Sequence, residues 1–456
     1  MKRFSRRAPF AAAALLIILC AGVLMLALRR EGMRAVAPPP LPTVEDTASS
    51  AAGSGGGSPA PIVVSVAESA PSPPSWRDAG PRHLPQGTPE SVGLDGATLA
   101  KIDPFVDQQI ADGYFPGAVV LVARRGVVVK QTAYGNAAVY AAEGERLPAP
   151  IPTRPDTIFD LASLTKLFTA TAAMVLVDEG KLDLDAPAAR YLPEFGANGK
   201  DHVTVRQLLT HTAGLPPGLQ LWTRGGNPEA RLRSAYAITL ESPPGEKYVY
   251  SDGGPIIVGK VVERITGQTL DQFLEQTVLR PLGLADTMYN PPDSLLWRIA
   301  PTEILKGKTS VLWGQVHDGE ARALSGVAGN AGLFGTASDL AVFAEMMLEG
   351  GAYGGARVLS PAAVAETLRP ELPLQPDHGI GWELDQSWYM GTLASPTTFG
   401  HTGFSGTSLV VSPQEQTIVV VLANRLHPHE APSTNATRVG VANLVHEAIR
   451  KQQALK

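Results

Sequence analysis

Gly117-Ala118-Val119-Val120-Leu121-Val122-Ala123, a break at Arg124-Arg125-Gly126, and Val127-Val128-Val129-Lys130-Gln131-Thr132-Ala133-Tyr134 make up the stretch from which the fold follows. Two β-branched runs around a short glycine turn predict a hairpin. So short a connection requires antiparallel pairing. A second hairpin stands near the other end. There Thr407-Ser408-Leu409-Val410-Val411-Ser412 and Thr417-Ile418-Val419-Val420-Val421-Leu422-Ala423 flank Pro413-Gln414-Glu415-Gln416. A helix is expected before the first hairpin, over residues 95–112, and another after the second, over residues 435–451. The simplest closed solution places both hairpins in one sheet with the terminal helices packed on it. Between them the chain reads as mainly helical. Thr204-x-x-Gln207 and Thr269-x-x-Gln272 have capping-box spacing. Gly267 and Gly350 suit helix C-termini, and Ser360-Pro361 suits an N-cap with proline at the first helical position. The expected class is α+β: an antiparallel sheet flanked by helices, with a mainly helical second lobe.

The 456 residues are 44% apolar and 18% charged, enough to bury a large core. A net charge of -5 and the lack of a basic stripe with interleaved aromatics exclude a general nucleic-acid binder. Cys20 is the sole cysteine, so a disulfide framework and a cysteine-ligated zinc site are excluded. The nine histidines form no His-Glu-x-x-His pattern. His427-Pro428-His429 reads as a surface turn without a metal. No cofactor is implied.

At the N-terminus, Lys2, Arg3, Arg6 and Arg7 precede 21 residues, 8–28, with no charge. As a helix these reach roughly 31 Å, against roughly 30 Å of bilayer hydrocarbon. The run ends in Arg29-Arg30-Glu31, and Ala35-Val36-Ala37 is followed by Pro38, which suits signal peptidase poorly. Residues 1–30 are therefore expected to be a membrane anchor or a signal, the anchor being favoured. The basic N-terminus predicts that this end stays cytoplasmic. The expected location is the bacterial inner membrane, single-pass, with the globular domain periplasmic. Residues 31–87, rich in Pro, Ala, Ser and Gly, read as a disordered linker. Residues 88–456 form the globular domain.

Within that domain Asp160-Leu161-Ala162-Ser163-Leu164-Thr165-Lys166 runs into the apolar Leu167–Val177 segment. Helical spacing puts Ser163 and Lys166 on one face, about one turn apart. A serine hydroxyl becomes a useful nucleophile only when a neighbouring base takes its proton. On this stretch alone, a helix cap and a solvated lysine are the commoner explanation. Further on, Pro244-Gly245-Glu246-Lys247-Tyr248-Val249-Tyr250-Ser251-Asp252-Gly253-Gly254 puts Tyr250 and Asp252 on a loop at the mouth of a helix beginning near Pro255. Phe399-Gly400-His401-Thr402-Gly403-Phe404-Ser405-Gly406 precedes the second hairpin, and its glycines let a ligand approach a strand edge.

Ser-x-x-Lys, then Tyr-x-Asp, then His-Thr-Gly, in that order, resembles the signature of the penicillin-recognising serine hydrolases. The likeness lies on the branch of class C β-lactamases, DD-peptidases and related esterases, and covers residues 88–450. Leu208-Leu209-Thr210-His211-Thr212-Ala213-Gly214-Leu215, Arg280-Pro281-Leu282-Gly283-Leu284 and Gly329-Asn330-Ala331-Gly332-Leu333-Phe334 support it. Val316-His317-Asp318 and Ala423-Asn424-Arg425-Leu426-His427-Pro428 are most similar to a penicillin-binding-protein-like DD-carboxypeptidase subgroup.

The resemblance implies an acyl-enzyme on Ser163, with Lys166 and Tyr250 sharing the proton traffic; which of the two is the base stays open. It implies an oxyanion hole from the backbone N–H groups of Ser163 and Phe404, and a strand edge at His401, Thr402 and Gly403 that meets the substrate carboxylate. Two departures bear on substrate. His401 replaces the lysine usual in β-lactamases, which predicts a pH-sensitive substrate contact. Asp252 replaces asparagine; it accepts but does not donate a hydrogen bond, so it either favours a substrate amine or pairs with Lys166. The expected substrates are D-Ala-D-Ala-type peptides. An esterase or weak β-lactamase on the same site is the first alternative, and a non-catalytic binder of β-lactams or wall fragments the second. Trp222-Thr223-Arg224-Gly225-Gly226 is a candidate specificity loop.

Overall fold

The computed structural model describes residues 76–79, 82–371 and 377–454. Seven strands make the main sheet: β1 (Gly117–Arg124), β2 (Val127–Ala142), β3 (Glu145–Pro152), β4 (Glu383–Leu384), β5 (Phe399–Thr402), β6 (Ser408–Ser412) and β7 (Thr417–Ala423). Their order is β3-β2-β1-β7-β6-β5-β4, and every neighbouring pair is antiparallel. Both expected hairpins are present. They join through β1 and β7, with Ala118 opposite Ala423 and Arg124 opposite Thr417. The first hairpin closes over Arg125 and Gly126, both at positive φ (52° and 73°). That is the backbone a two-residue turn needs to match the twist of its strands.

Strand β1 is buried along its whole length, because helices cover both faces of the sheet. Helices α1 (Ile102–Ala111), α2 (Thr165–Asp178), α3 (Gly253–Thr266), α4 (Ala337–Leu348) and α5 (Asn435–Ala454) are the ones that matter for the site. Alternate residues Ala118, Val120, Val122, Val419 and Val421 pack with Ile102 and Val106 of α1 and with Val441, Val445 and Ile449 of α5. Val119, Leu121, Ile418, Val420 and Leu422 face the larger core, which contains α2 and α4. Phe168 of α2 stacks on Phe343 of α4 with ring centroids 4.2 Å apart. Residues 165–176 of α2 are all buried, as an apolar helix without a polar face should be. The capping boxes at Thr204/Gln207 and Thr269/Gln272 form as expected. Gly267 ends α3 in the left-handed conformation.

Four expectations change. The helix expected over residues 95–112 is two helices, Gly96–Leu99 and Ile102–Ala111. Pro104 has no N–H to return to the carbonyl of residue 100, and its ring crowds that carbonyl, so the helix restarts. Ordered packing also begins before residue 88. Trp76 Nε1 donates to Glu275 at 2.8 Å, Arg77 donates to the Ala285 carbonyl at 2.7 Å, and Leu84 is buried. His427-Pro428-His429 is a surface turn only in part: His429 is exposed, but His427 is buried, and its Nε2 accepts the N–H groups of Val139 and Tyr140 at 2.9 and 3.0 Å.

The fourth change is to the location. The expectation of a single-pass inner-membrane protein, and of the membrane as a partner, does not stand. Among the described residues no helix is long and apolar enough to cross a membrane. The longest, α5, carries Arg438, Glu447, Arg450 and Lys451 within its 20 residues. Helix α2 is apolar but has 14 residues, a length of roughly 21 Å. Residues 8–28, where the anchor was expected, lie outside the described residues.

Candidate active site

The serine turn is built by Asp160. Its Oδ1 accepts the Ala162 N–H at 2.9 Å and its Oδ2 the His317 N–H at 2.7 Å. Between these bonds Ala162 is held at φ 47°, a left-handed backbone that a residue with a β-carbon adopts at some cost. The strained residue precedes Ser163 directly and projects it at the start of α2. Lys166 lies one turn on, 2% exposed. All three of its protons have acceptors: Ser163 Oγ at 2.9 Å, Asp252 Oδ1 at 2.7 Å and the Asn330 carbonyl at 3.1 Å.

Asp252 occupies the N-cap position of α3 but caps nothing. Its carboxylate turns instead to Lys166, and Ser251 Oγ accepts the Gly253 N–H at 3.1 Å in its place. Tyr250 is half-buried, with Lys166 Nζ 4.9 Å from its ring centroid. Behind it stands His211, whose ring centroid lies 4.5 Å from that of Tyr250. His211 is itself at φ 58°, and its Nδ1 accepts the Ser251 N–H at 3.1 Å.

The opposite wall is the edge of β5 and the turn after it. His401 pairs with Leu409 and Thr402 with Ser408. A β-carbon at Gly403 would come 2.0 Å from Thr407 Oγ1 and 2.7 Å from the Leu161 carbonyl, so only glycine lets this edge lie against the serine turn. Phe404 is 51% exposed, with the Arg425 guanidinium 4.3 Å from its ring centroid. A cavity of about 430 Å³ lies between the walls, lined by Ser163, Tyr250, the His401-to-Phe404 edge, and Glu383, Arg425, Ser433 and Arg438. Lys166 adjoins it through Ser163, and Asp252 through Lys166. All eight residues singled out in the sequence are thus brought together.

The charge states follow from burial. For Lys166 burial alone favours the neutral amine, but the Asp252 charge and Tyr250 outweigh it and hold the ammonium above its ordinary range. Burial raises Tyr250, and the neighbouring Lys166 charge only partly offsets this, so the phenol keeps its proton. Burial, with help from the Lys166 charge, pushes the His401 imidazole down to about 3. The pH-sensitive contact expected of His401 is therefore corrected: the ring stays neutral through the physiological range. Its Nδ1 lies 2.7 Å from the Thr402 carbonyl.

Several residues of the site carry no recognisable signal. His211 and Asn330 lie in stretches that matched the family pattern without a role attached. Asn330 reaches Asp318 through its Nδ2 at 3.0 Å and Lys166 through its carbonyl. Glu383, Arg425, Ser433 and Arg438 come from distant strands and helices. Glu383 is buried, and burial pushes its carboxyl up to about 7. Arg438, in α5, donates to the carbonyls of Gly403 and Thr407 at 2.8 and 2.9 Å and so braces the strand edge from behind. Trp222 is 54% exposed and rests on Gly319, and it is not among the residues lining the cavity.

The family model described as Beta-lactamase matches residues 102–444. A protein of Salmonella agona (strain SL483), named "Putative D-alanyl-D-alanine carboxypeptidase", is 35% identical over 77% of this chain and 88% of its own length. Among solved structures, EstCE1, described as a hydrolase with promiscuous acyltransferase activity, is 25% identical. It has a TM-score of 0.63 and covers 77% of this chain and 99% of its own. A penicillin-binding protein homologue from Caulobacter crescentus is 24% identical with a TM-score of 0.62, covering 78% of this chain and 99% of its own, and shares the fold.

Proposed function

Because this chain belongs to the beta-lactamase family and is a serine hydrolase, we propose that Ser163 is its nucleophile and that it removes the terminal residue from D-Ala-D-Ala-type peptides. The observation that carries the first part is the 2.9 Å contact between Ser163 Oγ and the buried Lys166 Nζ, with Ser163 lining a cavity large enough for a peptide end. Ser163 Oγ attacks the scissile carbonyl. The backbone N–H groups of Ser163 and Phe404 stabilise the oxyanion, while Lys166 and Tyr250 lie on the proton path. The substrate runs along the edge of β5 at Thr402 and Gly403. Release of D-Ala leaves an acyl-enzyme that water hydrolyses. The relatives named as carboxypeptidases support the substrate class.

An esterase is the second reading. A neutral His401 offers no cation to a terminal carboxylate, and EstCE1, a hydrolase with acyltransferase activity, is among the similar structures. Incubation with a labelled penicillin and, separately, a fluorophosphonate, followed by mass spectrometry, locates the adduct. An adduct on Ser163 with release of D-Ala from a model peptide supports the carboxypeptidase. Turnover of short-chain esters without D-Ala release supports the esterase. No adduct on Ser163 with either reagent leaves only a binding module.

A further inference from the structure

Among the described residues, the carboxylate joined to Ser163 through a single side chain is that of Asp252, which accepts from Lys166. Lys166 is held as an ammonium and His401 as a neutral imidazole, and Tyr250 keeps its proton. Lys166 and Tyr250 offer no basic site in the state in which they rest, and the neutral His401 imidazole makes no hydrogen bond to Ser163: its Nδ1 is taken up by the Thr402 carbonyl and its Nε2 meets no partner among the described residues. Lys166 Nζ, however, touches Ser163 Oγ at 2.9 Å and Asp252 Oδ1 at 2.7 Å. It therefore bridges the nucleophile to a carboxylate.

We propose that Asp252 is the terminal acceptor of the Ser163 proton, which reaches it by way of Lys166. The steps balance as follows. Lys166 gives one proton to Asp252 Oδ1 and becomes a neutral amine. It turns about its Cε–Nζ bond and takes the Ser163 proton as the Oγ electron pair forms the bond to the substrate carbonyl carbon. The carbonyl π pair moves to oxygen. The site then holds an ammonium and a carboxylic acid, with the negative charge on the oxyanion. When the intermediate collapses, the leaving group takes a proton from Lys166, Asp252 returns its own to Lys166, and the resting charges are restored. No proton needs to come from solvent.

The surroundings of Asp252 fit a transient proton carrier. Its side chain is 26% exposed, against 2% for Lys166. The loop at residues 250–252 and α2 present Tyr250 and Lys166 to it. The segment before the helix Gly319–Ala323 presents Asp318, a like charge whose own carboxyl is raised by burial and by Asp252. Asp318 is satisfied by the Ala321 N–H at 2.8 Å and by Asn330 Nδ2 at 3.0 Å. An asparagine at 252 would keep a contact with Lys166 but could not receive the proton.

This inference rests on Ser163 as the nucleophile, and one experiment separates the two. The rate of fluorophosphonate labelling at Ser163 is measured from about pH 4 to about pH 10 for the wild type, Asp252→Asn and Asp252→Glu. The wild-type rate is expected to rise across the acid range and level off by neutrality. Asp252→Glu should keep that acid limb. In Asp252→Asn, Lys166 must lose a proton to solvent before it can act, so the limb should move at least one pH unit to the alkaline side. On the wild-type limb that is a tenfold or greater loss of rate. Coincident limbs for the wild type and Asp252→Asn would overturn the relay. So would a wild-type rate that rises only above neutral pH, a result that needs no variant to fold. No wild-type adduct on Ser163 at any pH would instead remove the nucleophile itself.

Discussion

The imidazole of His211 lies 4.5 Å from the phenol of Tyr250, centroid to centroid, and is tilted 36° to it. His211 is also in edge contact with Tyr248 and with His378, at 6.0 and 5.5 Å. The Tyr250 ring is thus backed by a packed aromatic cluster, and its position over Lys166 depends on that backing. His211→Asn tests this without disturbing the backbone, since asparagine tolerates the positive φ at this site. Labelling of Ser163 is expected to slow about tenfold, a cost typical of a misplaced catalytic group. A melting temperature measured alongside separates loss of positioning from loss of fold.

Gly403→Ala should be more damaging. The new methyl would meet Thr407 Oγ1 at 2.0 Å and the Leu161 carbonyl at 2.7 Å. One of these contacts is to backbone and cannot swing away, so the strand edge must retreat from the serine turn. We expect roughly a hundredfold loss in Ser163 labelling, read by mass spectrometry over time, with the far-UV circular dichroism unchanged.

Burial holds the His401 imidazole down at about 3 in the folded protein. An unfolded histidine titrates near 6.5. The unfolded chain therefore binds the extra proton first, and stability is lost as the pH falls from about 6.5 towards 3. Above that window the group contributes nothing to the slope. Melting temperatures of the wild type and His401→Asn should converge as the pH drops from 7 to 4, because the variant lacks this proton uptake.

Glu345 shows the opposite sign. It is buried in α4, and burial, then the charge of Glu349, pushes its carboxyl up to about 7. Its unfolded counterpart ionises near 4.3. The stability it supports is present below that value and is lost as the pH rises through about 7. Glu345→Gln should raise stability at pH 8 by roughly 1–3 kcal/mol and change it little at pH 4, as measured by urea unfolding.

The loop carrying Trp222 is tied down by one carboxylate. Glu320, itself buried, accepts the N–H groups of Leu219, Gln220 and Leu221 at 2.7, 2.7 and 2.8 Å. Glu320→Ala should expose these amides to faster hydrogen exchange and cost at least about 2 kcal/mol, since each leaves a charge-assisted bond unmade. Exchange at α2 should not change.

The sheet was legible because its central strands are continuous β-branched runs bounded by turn residues, and the helix ends because Thr204, Thr269 and Gly267 do local work. Ser163, Lys166, Tyr250 and His401 were legible as candidates, since residue type and order both carry the pattern, and the structure places them side by side. What escaped depended on tertiary contact. Nothing in the spacing of His427 says that it will accept two backbone N–H groups from β2, and nothing local to Arg438 says that its helix will reach behind Gly403. The pH behaviour of His401 failed for the same reason: a sequence shows the imidazole but not its burial. Residue type alone leaves Asp252 between a substrate amine and Lys166, and three-dimensional proximity decides for Lys166.

The pairing of β1 with β7 has a consequence for synthesis. Ala118 must wait for Ala423, made about 300 residues later, before the middle of the sheet exists. At ribosomal speeds of about 5–20 residues per second, that delay is roughly 15–60 seconds. Throughout it the apolar first hairpin has no partner on one side, and the serine turn has no opposing wall, because β5 is also among the last segments made. The emerging chain therefore needs protection from aggregation for most of its translation. The two walls that face Ser163 likewise come together only when almost the whole chain has been made.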